Sequence, residues 1–358
     1  MNLKELSLDE KIGQKLMVGL DIENAKDIAY ELISKYKIGG ILLYKKNYQN
    51  YKEMIDLINY IKEINSKYSK IPMIIAIDQE GGRVNRLPND FIKMPSCYKI
   101  SQKNDENLLR ESASITAEIL ENSGINMDFA PVLDIKRFGD LQAIGDRAFS
   151  ENKDIVTKNG IIFMKELQKR NIISVIKHFP GHGATKTDSH FFIPVINKEI
   201  KELEEDDEYP FLKAIDNGAD TLLIGHLLIK KISNKYPITM SDNFIKKYLR
   251  DRFKGVIITD DMRMKSLSLF YGKYEPIIKA FSSGNDIILF KYKNNDKIYK
   301  KLKNIAKKNS TLIKEINESV ARIINLKEKY NVNDNLMDID TDINKYNERI
   351  QKIRDEVL

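Results

Sequence analysis

The segment Ile172-Ile173-Ser174-Val175-Ile176-Lys177-His178 is a short, mostly apolar and β-branched run that ends in two polar residues. Such runs are typical of strands buried in a parallel sheet. It lies between two longer segments, Lys153–Lys169 and Lys198–Asn217, whose apolar residues recur at helical spacing. A strand between two helices is the unit of α/β proteins with parallel sheets, so this stretch predicts an α/β fold.

The same alternation runs through most of the chain. The candidate strands are Lys15–Leu20, Gly39–Tyr44, Pro72–Asp78, Asn126–Val132, Ile172–His178, Asp220–His226, Gly255–Asp260 and Asp286–Phe290. The other candidate helices are Asn24–Tyr36, Tyr51–Tyr68, Asp105–Ser123, Ser241–Arg252, Glu275–Ser282 and Asp296–Lys308. Eight strands, each followed by a helix, in 358 residues favour a single (β/α)8 barrel of the TIM type. A doubly wound open sheet is the alternative.

The end of the chain lies outside this alternation. Ser310–Tyr330 has apolar residues at helical spacing and is expected to pack on the barrel as a helix. The Asn- and Asp-rich stretch from 331 to 342 is typical of a linker, and Ile343–Leu358 of a short charged helix. We predict a catalytic barrel over residues 1–330 and a linker with a helical tail over 331–358.

Composition indicates a globular protein, with 42% hydrophobic and 31% charged residues. The net charge of +7 raises the question of nucleic-acid binding, but the excess Lys residues fall on predicted helix faces, most densely over Lys291–Lys308. No basic motif with interleaved aromatic residues accompanies them, so we expect no nucleic-acid partner. The acidic run Glu202–Glu208 is expected to form the solvated first turns of a helix.

The single cysteine, Cys97, excludes an internal disulfide and suits a reducing compartment. Ser7 and Glu10 predict a capping box at the start of the first helix, where a secretion signal would have an apolar core. Apolar runs stay well short of the ~18 residues that a membrane span needs. We therefore expect a cytoplasmic protein that does not cross a membrane.

Histidine is concentrated in one place, because three of the four histidines fall within the 14 residues Lys177–His190. Histidine exchanges protons near neutral pH, so the cluster points to chemistry. A metal site is the alternative for His178 and His182. Pro180 and Gly181 between them disfavour the helix that would place both on one face.

Polar residues also recur where predicted strands end, and barrel enzymes place their working residues at the C-terminal ends of strands. The residues at these ends and in the loops that follow are Asp78, Arg83, Asp134, Arg147, Lys177, His178, His226 and Asp260. Taken singly, each has a structural explanation: a helix N-cap for an aspartate, a buried core position for His226, a rim salt bridge for an arginine. Their convergence on one rim favours a site, and their chemistry suits hydroxyl-rich or carboxylate-bearing ligands. The chain has no Trp, so Tyr and Phe would have to form any aromatic sugar platform.

Four motifs resemble the ordered signature of family 3 glycoside hydrolases, in the β-N-acetylhexosaminidase branch of peptidoglycan recycling. They are Asp78-Gln79-Glu80-Gly81-Gly82-Arg83-Val84, Lys177-His178-Phe179-Pro180-Gly181-His182-Gly183, Asp188-Ser189-His190 and Thr259-Asp260-Asp261-Met262. The resemblance runs from about Leu6 to Tyr330. It implies a retaining β-N-acetylglucosaminidase that needs no metal or organic cofactor and acts on muropeptide-derived sugars.

The resemblance also implies roles. Asp260 is the expected nucleophile, and His190, held by Asp188, replaces the second carboxyl group that retaining enzymes ordinarily use as acid/base. An aspartate that accepts from one imidazole nitrogen fixes the tautomer and favours the protonated ring. The expected substrate-binding residues are Asp78, Arg83, Arg147, Lys177, His178 and His226. His182 is expected to shape the loop rather than to touch the substrate.

Other functions remain open at this stage. One is a family 3 glycosidase of another specificity, such as a β-glucosidase, or an N-acetylglucosamine phosphorylase. Relatives with β-glucosidase activity can carry a second α/β domain, where this chain has only its tail. Another is an inactive sugar-binding barrel, which the presence of Asp260, Asp188 and His190 disfavours. The expected partner is a small carbohydrate, and the expected state a monomer.

Overall fold

The computed structural model describes residues 3–139, 143–184, 193–233, 235–293, 295–339 and 341–357. Within these ranges, eight parallel strands form one sheet. They are β1 (Leu16–Gly19), β2 (Gly40–Leu42), β3 (Ile74–Ile77), β4 (Met127–Asp128), β5 (Ile173–Phe179), β7 (Thr221–Ile224), β9 (Val256–Thr259) and β10 (Ile288–Lys291). Two further strands, β6 (Val195–Ile196) and β8 (Leu228–Ile229), pair with each other outside this sheet.

The sheet closes on itself. β10 pairs in parallel with β1, with Leu16 opposite Ile288. A bridge between Ile258 and Ile287 joins β9 to β10. The predicted (β/α)8 barrel is therefore confirmed, and the doubly wound open sheet is excluded. All eight predicted strands are present. Most are shorter than predicted, because the residues at their ends do not pair with the neighbouring strands and belong to the loops of the rim.

Alternation along the strands divides the core into two layers. Met17, Ile74 and Val175 face the inside of the barrel, whereas Val18 and Ile75 face the surrounding helices. Ile323 and Leu326 join the inner layer from a helix that covers the N-terminal end of the barrel. That end is thereby closed, which leaves the C-terminal end of the strands for a site.

The helices begin with α1 (Leu8–Gln14), where Ser7 and Glu10 form the predicted capping box. The remaining α-helices of the described ranges are α2 (Ala25–Tyr36), α3 (Tyr51–Tyr68), α4 (Cys97–Gln102), α5 (Glu106–Asn122), α6 (Lys153–Lys169), α7 (Ile200–Glu205), α8 (Tyr209–Asp216), α9 (Lys265–Tyr271), α10 (Glu275–Ser282), α11 (Asp296–Lys307), α12 (Ser310–Lys329) and α13 (Ile343–Val357). The predicted helix Ser241–Arg252 is a π-helix over Asn243–Leu249. No helix in the described part of the chain is both long and apolar enough to span a membrane.

The prediction of one helix over Lys198–Asn217 is wrong, because two helices, α7 and α8, meet at the acidic run. Pro210 lies in the first turn of α8, where proline is favoured because its missing N–H needs no partner there. Asp207 is buried and binds Arg137 and Lys198, with its Oδ2 2.6 Å from Lys198 Nζ. Glu208 is also buried, and burial raises its pKa to about 8. These two acidic residues are therefore internal, not solvated.

The tail returns along the outside of the barrel. α13 packs against α5, where Arg349 Nη1 lies 2.7 Å from Glu118 Oε2. Asn347 Oδ1 accepts a hydrogen bond of 2.7 Å from the backbone N–H of Ile92, in the long segment between β3 and α4. The tail thus holds in place the segment that follows the motif Asp78–Val84. The division into a barrel over 1–330 and a tail over 331–358 remains a prediction.

Lys327 of α12 is buried against the N-terminal ends of the strands. Its Nζ donates to Gln14 Oε1 at 2.7 Å, Gly39 O at 3.1 Å and Pro72 O at 2.7 Å. Burial lowers the pKa of Lys327 to about 7, with Asp334 opposing the shift. The folded protein therefore loses a proton that the unfolded chain still binds between about pH 7 and 10.

We expect Lys327→Met to remove part of the pH dependence of stability. Between these two pKa values the unfolded state binds more protons, so the free energy of unfolding rises with pH by up to about 1.4 kcal/mol per unit from this group. Denaturant unfolding from pH 7 to 9.5 should show the wild type gaining stability relative to the variant. The control is Lys314→Met, at an exposed lysine of the same helix. A difference between wild type and Lys327→Met that stays constant with pH would contradict the assignment.

Candidate active site

A cavity of about 620 Å³ opens at the C-terminal ends of the barrel strands. Leu42, Phe129, Leu223 and Leu289 provide apolar wall, and Tyr44 adds a second aromatic ring to that of Phe129. The charged and histidine side chains that line it are Asp78, Glu80, Arg86, Arg147, Lys177, His178, His182, Asp260, Asp261, Arg263, Lys265 and Lys291. Apolar and aromatic walls with convergent polar groups are typical of a site for a small ligand.

Lys177 and His178 are neighbours at the end of β5, and both line the cavity. Successive side chains of a regular strand point to opposite faces, so an undistorted strand would turn one of them away. The pairing of β5 with β7 shifts register between Ile176 and Phe179. Such an irregularity re-aims side chains, and here it accounts for two adjacent side chains at one site.

Lys177 lies between two carboxylates of the motif Asp78–Val84, which follows β3. Its Nζ is 2.7 Å from Asp78 Oδ1 and 2.5 Å from Glu80 Oε1. Glu80 also receives both ends of the Arg147 guanidinium, with Nε 2.7 Å from Oε2 and Nη2 2.8 Å from Oε1. Two cations and two anions therefore alternate across this side of the cavity in a network that holds each side chain in place.

The groups of this network favour one another's charged forms. Burial alone would raise the pKa of Glu80, but Arg147 and Lys177 together hold it far below its usual value. Burial would likewise lower the pKa of Lys177, yet Asp78 and Glu80 raise it above its ordinary value. The site is therefore lined at neutral pH by fixed charges that can orient a polar ligand without rearranging.

Asp134 holds the turn that carries the two histidines of the wall. Its Oδ2 lies 2.6 Å from His178 Nδ1, and its Oδ1 accepts from the backbone N–H of His182 at 2.5 Å. Burial opposes ionisation of Asp134, but His178 and His182 lower its pKa. Because an ionised carboxylate only accepts, Nδ1 of His178 carries a proton and Nε2 is left on the cavity side, 3.5 Å from Arg147 Nη2.

Asp260 follows the last residue of β9 and lies in the cavity wall. Its backbone N–H donates to Ile224 O at 3.0 Å, and its Oδ1 accepts from the N–H of Asp261 at 2.7 Å. Burial would raise the pKa of Asp260, but His226, His178, the Asp261 amide and Lys177 outweigh burial and lower it. Asp260 is therefore an ionised carboxylate on a rigid strand end.

His226 and Asp261 support this strand end. Nε2 of His226 donates to Asp261 O at 3.0 Å, and Nδ1 lies 3.0 Å from Thr239 Oγ1. His226 is fully buried and is not part of the cavity wall. Its hydrogen bond to Asp261 places it beside the loop of Asp260, and its predicted contact with substrate stays a prediction. Burial raises the pKa of the Asp261 carboxyl, whose Oδ1 accepts from the N–H groups of Arg263 and Lys291.

The two arginines of the β3 loop differ in position. Arg83 is not among the residues that line the cavity; it donates to Ile144 O at 2.8 Å and pairs with Asp146. Arg86 lines the cavity, and its guanidinium donates no hydrogen bond to any described residue. A cation at a cavity wall that has no hydrogen-bond partner among the described residues is available to a ligand. We therefore add Arg86 to the candidate binding residues, while the role of Arg83 stays a prediction.

Sequence reasoning singled out most of this site and missed part of it. Asp78, Arg147, Lys177, His178 and Asp260 line one cavity, as expected from their positions at strand ends. Glu80 lies inside the motif Asp78–Val84, but the sequence gives it no role. Only its contacts with Lys177 and Arg147 show that it is central to the charge network. Asp188 and His190 lie outside the described residues, so the proposed acid/base pair has no position here.

Comparison with known proteins agrees with the geometry. The family model described as "Glycosyl hydrolase family 3 N terminal domain" matches residues 7–326. A beta-hexosaminidase of Hydrogenovibrio crunogenus is 31% identical over 295 residues, which are 79% of this chain and 81% of that protein. Beta-hexosaminidase A of Pseudoalteromonas piscicida is 31% identical over 84% of this chain but only 54% of its own length.

A solved structure extends the match to the fold. The glycoside hydrolase family 3 beta-N-acetylglucosaminidase from Paenibacillus sp. str. FPU-7 superposes with a TM-score of 0.89 and 30% sequence identity. The superposition covers 98% of this chain and 69% of that one. Because the family model covers nearly the whole barrel, the chain belongs to glycoside hydrolase family 3 and is a glycoside hydrolase similar to beta-hexosaminidases.

Proposed function

We propose that the protein is a retaining β-N-acetylglucosaminidase that releases terminal, non-reducing β-linked N-acetylglucosamine from peptidoglycan-derived sugars. The observation that carries the proposal is an ionised Asp260 in the same cavity as the ion-pair network of Asp78, Glu80, Lys177 and Arg147. A carboxylate nucleophile beside a set of hydroxyl-binding groups is the arrangement that glycoside hydrolysis needs.

The network holds the sugar. Asp78 Oδ1 is bound by Lys177, and the partly exposed carboxylate can also accept hydrogen bonds from sugar hydroxyls. Lys177, Arg147 and Nε2 of His178 face the same space. Because Glu80 fixes both cations, their positions are set before the sugar arrives, which lowers the entropy cost of binding.

The reaction then proceeds in two displacements. A carboxylate oxygen of Asp260 attacks the anomeric carbon, and the bond from that carbon to the leaving-group oxygen breaks while the leaving oxygen takes a proton from His190. Water next attacks the same carbon and gives its proton to His190, and the ester bond to Asp260 breaks. Two inversions give overall retention.

Three carboxylates of the site are already held by protein partners. Asp78 and Glu80 are bound by Lys177, and Asp134 by His178. The family resemblance assigns the role of acid/base to His190, with Asp188 orienting its ring. Gly181 has φ of 125°, a conformation that L side chains rarely adopt, and it permits the sharp turn that leads into this segment.

We expect His190→Ala to slow natural disaccharides far more than activated aryl glycosides. A nitrophenolate leaves without help, whereas a sugar alkoxide needs the proton, and general acid catalysis typically contributes about 10²- to 10⁴-fold. Comparing kcat/KM of wild type and variant on the two substrate types checks the role. Equal losses on both would contradict general acid catalysis by His190.

Further cations in the cavity wall favour an acidic aglycone. Arg86, Arg263, Lys265 and Lys291 lie in the wall around the sugar-binding network. A sugar that carries a carboxylate, as muropeptide-derived sugars do, would complement these charges. Phosphate would also be attracted there, so N-acetylglucosamine phosphorylase is the second candidate. A β-glucosidase is the third.

Aryl β-glycosides of N-acetylglucosamine and of glucose, each assayed with and without phosphate, separate these functions. The proposal predicts faster release from the N-acetylglucosaminide and free N-acetylglucosamine as the product in both buffers. Faster release from the glucoside would favour a β-glucosidase. Strong stimulation by phosphate with a glycosyl phosphate as the product would replace hydrolysis by phosphorolysis.

The cellular setting is part of the same proposal. We propose that the enzyme works in the cytoplasm as a monomer, without nucleic-acid or membrane partners. The proposed mechanism uses protein groups alone and calls on no metal or organic cofactor. Peptidoglycan recycling would supply muropeptide sugars to such a compartment.

A further inference from the structure

His182 differs from the other histidines of the described chain. It begins the short 3-10 turn His182–Ala184 after β5, is 4% exposed and lies in the cavity wall. Neither of its ring nitrogens has a hydrogen-bond partner among the described residues. By contrast, His226 has partners for both ring nitrogens, and His178 is bound to Asp134.

An unpaired imidazole at such a position is costly. Buried polar side chains are nearly always hydrogen-bonded, and leaving one unpaired loses the hydrogen bonds that it made with water in the unfolded chain. The sequence predicts that His182 shapes the loop, and the backbone N–H of His182 does hold the turn by donating to Asp134. The ring itself has no such structural task in the described residues.

The turn cannot readily move to give the ring a partner. A Cβ on Gly183 would lie 2.1 Å from Ile135 O, and one on Gly181 would lie 2.7 Å from the Asp207 side chain. The backbone is thus packed tightly on both sides of His182. The ring centroid stays 6.1 Å from that of His178, and the ring is close enough to Asp260 for the two to interact electrostatically.

We propose that His182 is a specificity-determining residue whose ring hydrogen-bonds a hydroxyl group of the terminal sugar, beside His178 and the nucleophile Asp260. This inference rests on the proposed function, since it places that sugar in the cavity. Burial lowers the pKa of His182, although Asp134 raises it in part. A neutral ring has one donor and one acceptor nitrogen, which matches a hydroxyl group that both donates and accepts.

A cycle of enzyme and substrate changes tests the contact. Wild type, His182→Ala and His182→Gln are assayed on the aryl β-N-acetylglucosaminide and on its 3-deoxy, 4-deoxy and 6-deoxy analogues. In the wild type, loss of the contacted hydroxyl is expected to lower kcat/KM about 10-fold or more. On the full substrate, His182→Ala should have a kcat/KM lowered by about the same factor. On the analogue that lacks the contacted hydroxyl, its kcat/KM should fall no further. His182→Gln, which keeps a donor and an acceptor, should recover part of it.

The other two analogues serve as internal controls, because their losses should be alike in wild type and variant. For each analogue, the fall in kcat/KM relative to the full substrate is compared between wild type and His182→Ala. If it is the same in both proteins for all three analogues, the ring does not bind the sugar and the inference fails. Thermal melting verifies that each variant is folded. If His182→Ala does not fold, the same comparison of substrates is made with His182→Gln in its place. A wild type that cleaves only the glucoside would refute the proposed substrate, and deoxy glucosides would then decide the role of His182.

Discussion

Replacing Asp260 by alanine is expected to lower kcat for an aryl β-N-acetylglucosaminide by about 10⁴-fold or more, the scale seen when a catalytic nucleophile is removed. The reason is specific to the position. Asp260 lies at the end of β9, with its main chain bound to Ile224 and its pKa lowered despite burial. Without that carboxylate no covalent intermediate can form. Steady-state kinetics on purified protein measures the effect.

Asp261→Asn is the matched control, at the neighbouring carboxylate of the same loop. Its oxygen accepts from the main chain of Arg263 and Lys291, so an amide can keep those contacts. We expect a loss of no more than about 10-fold in this variant, since no step is assigned to the Asp261 side chain. Retention of full activity in Asp260→Ala, or equal losses in the two variants, would end the assignment of Asp260 as the nucleophile.

Glu80→Ala is expected to have the largest effect on stability. The change leaves Arg147, which is largely buried, without its carboxylate, and the fully buried Lys177 with only Asp78. Breaking a buried ion pair by removing one partner typically costs about 3–5 kcal/mol. Activity should also fall, by about 100-fold, because both cations lose the group that positions them. Denaturant unfolding and kinetics measure the two effects.

Glu63→Ala offers a matched control for the loss of a glutamate from an ion pair. Glu63 pairs with Lys67 on the exposed face of α3, with the two atoms 2.6 Å apart. Exposed pairs contribute little because water screens them, so this variant should unfold near the wild-type midpoint. Glu80→Gln is expected to fall between Glu80→Ala and the wild type. A Glu80→Ala protein as stable as Glu63→Ala would contradict the network.

The sequence predicts the barrel well because its strands are buried on both faces. Such strands appear as continuous apolar runs, and the polar residue that ends each run marks the rim. This is why Asp78, Lys177 and Asp260 could be assigned to one site from periodicity and motifs alone. The closing of β10 on β1 follows from the count of eight strands.

Contacts between distant segments explain what the sequence could not predict. The sequence predicts a solvated acidic run because nothing local shows that Arg137 and Lys198 reach Asp207. Arg83 and Arg86 share one loop, and only the fold shows which of them faces the cavity. The unpaired ring of His182 is likewise a property of its surroundings, so its sequence position alone suggested a role in the loop.

The most direct test of the central claim is to trap the glycosyl-enzyme. Incubation with a 5-fluoro N-acetylglucosaminide slows both displacements and allows the covalent intermediate to accumulate. Digestion and mass spectrometry should then locate the added sugar on the peptide that contains Thr259-Asp260-Asp261, with fragmentation placing it on Asp260. Inactivation with the label on another carboxylate, or turnover with inversion at the anomeric carbon, would contradict the account.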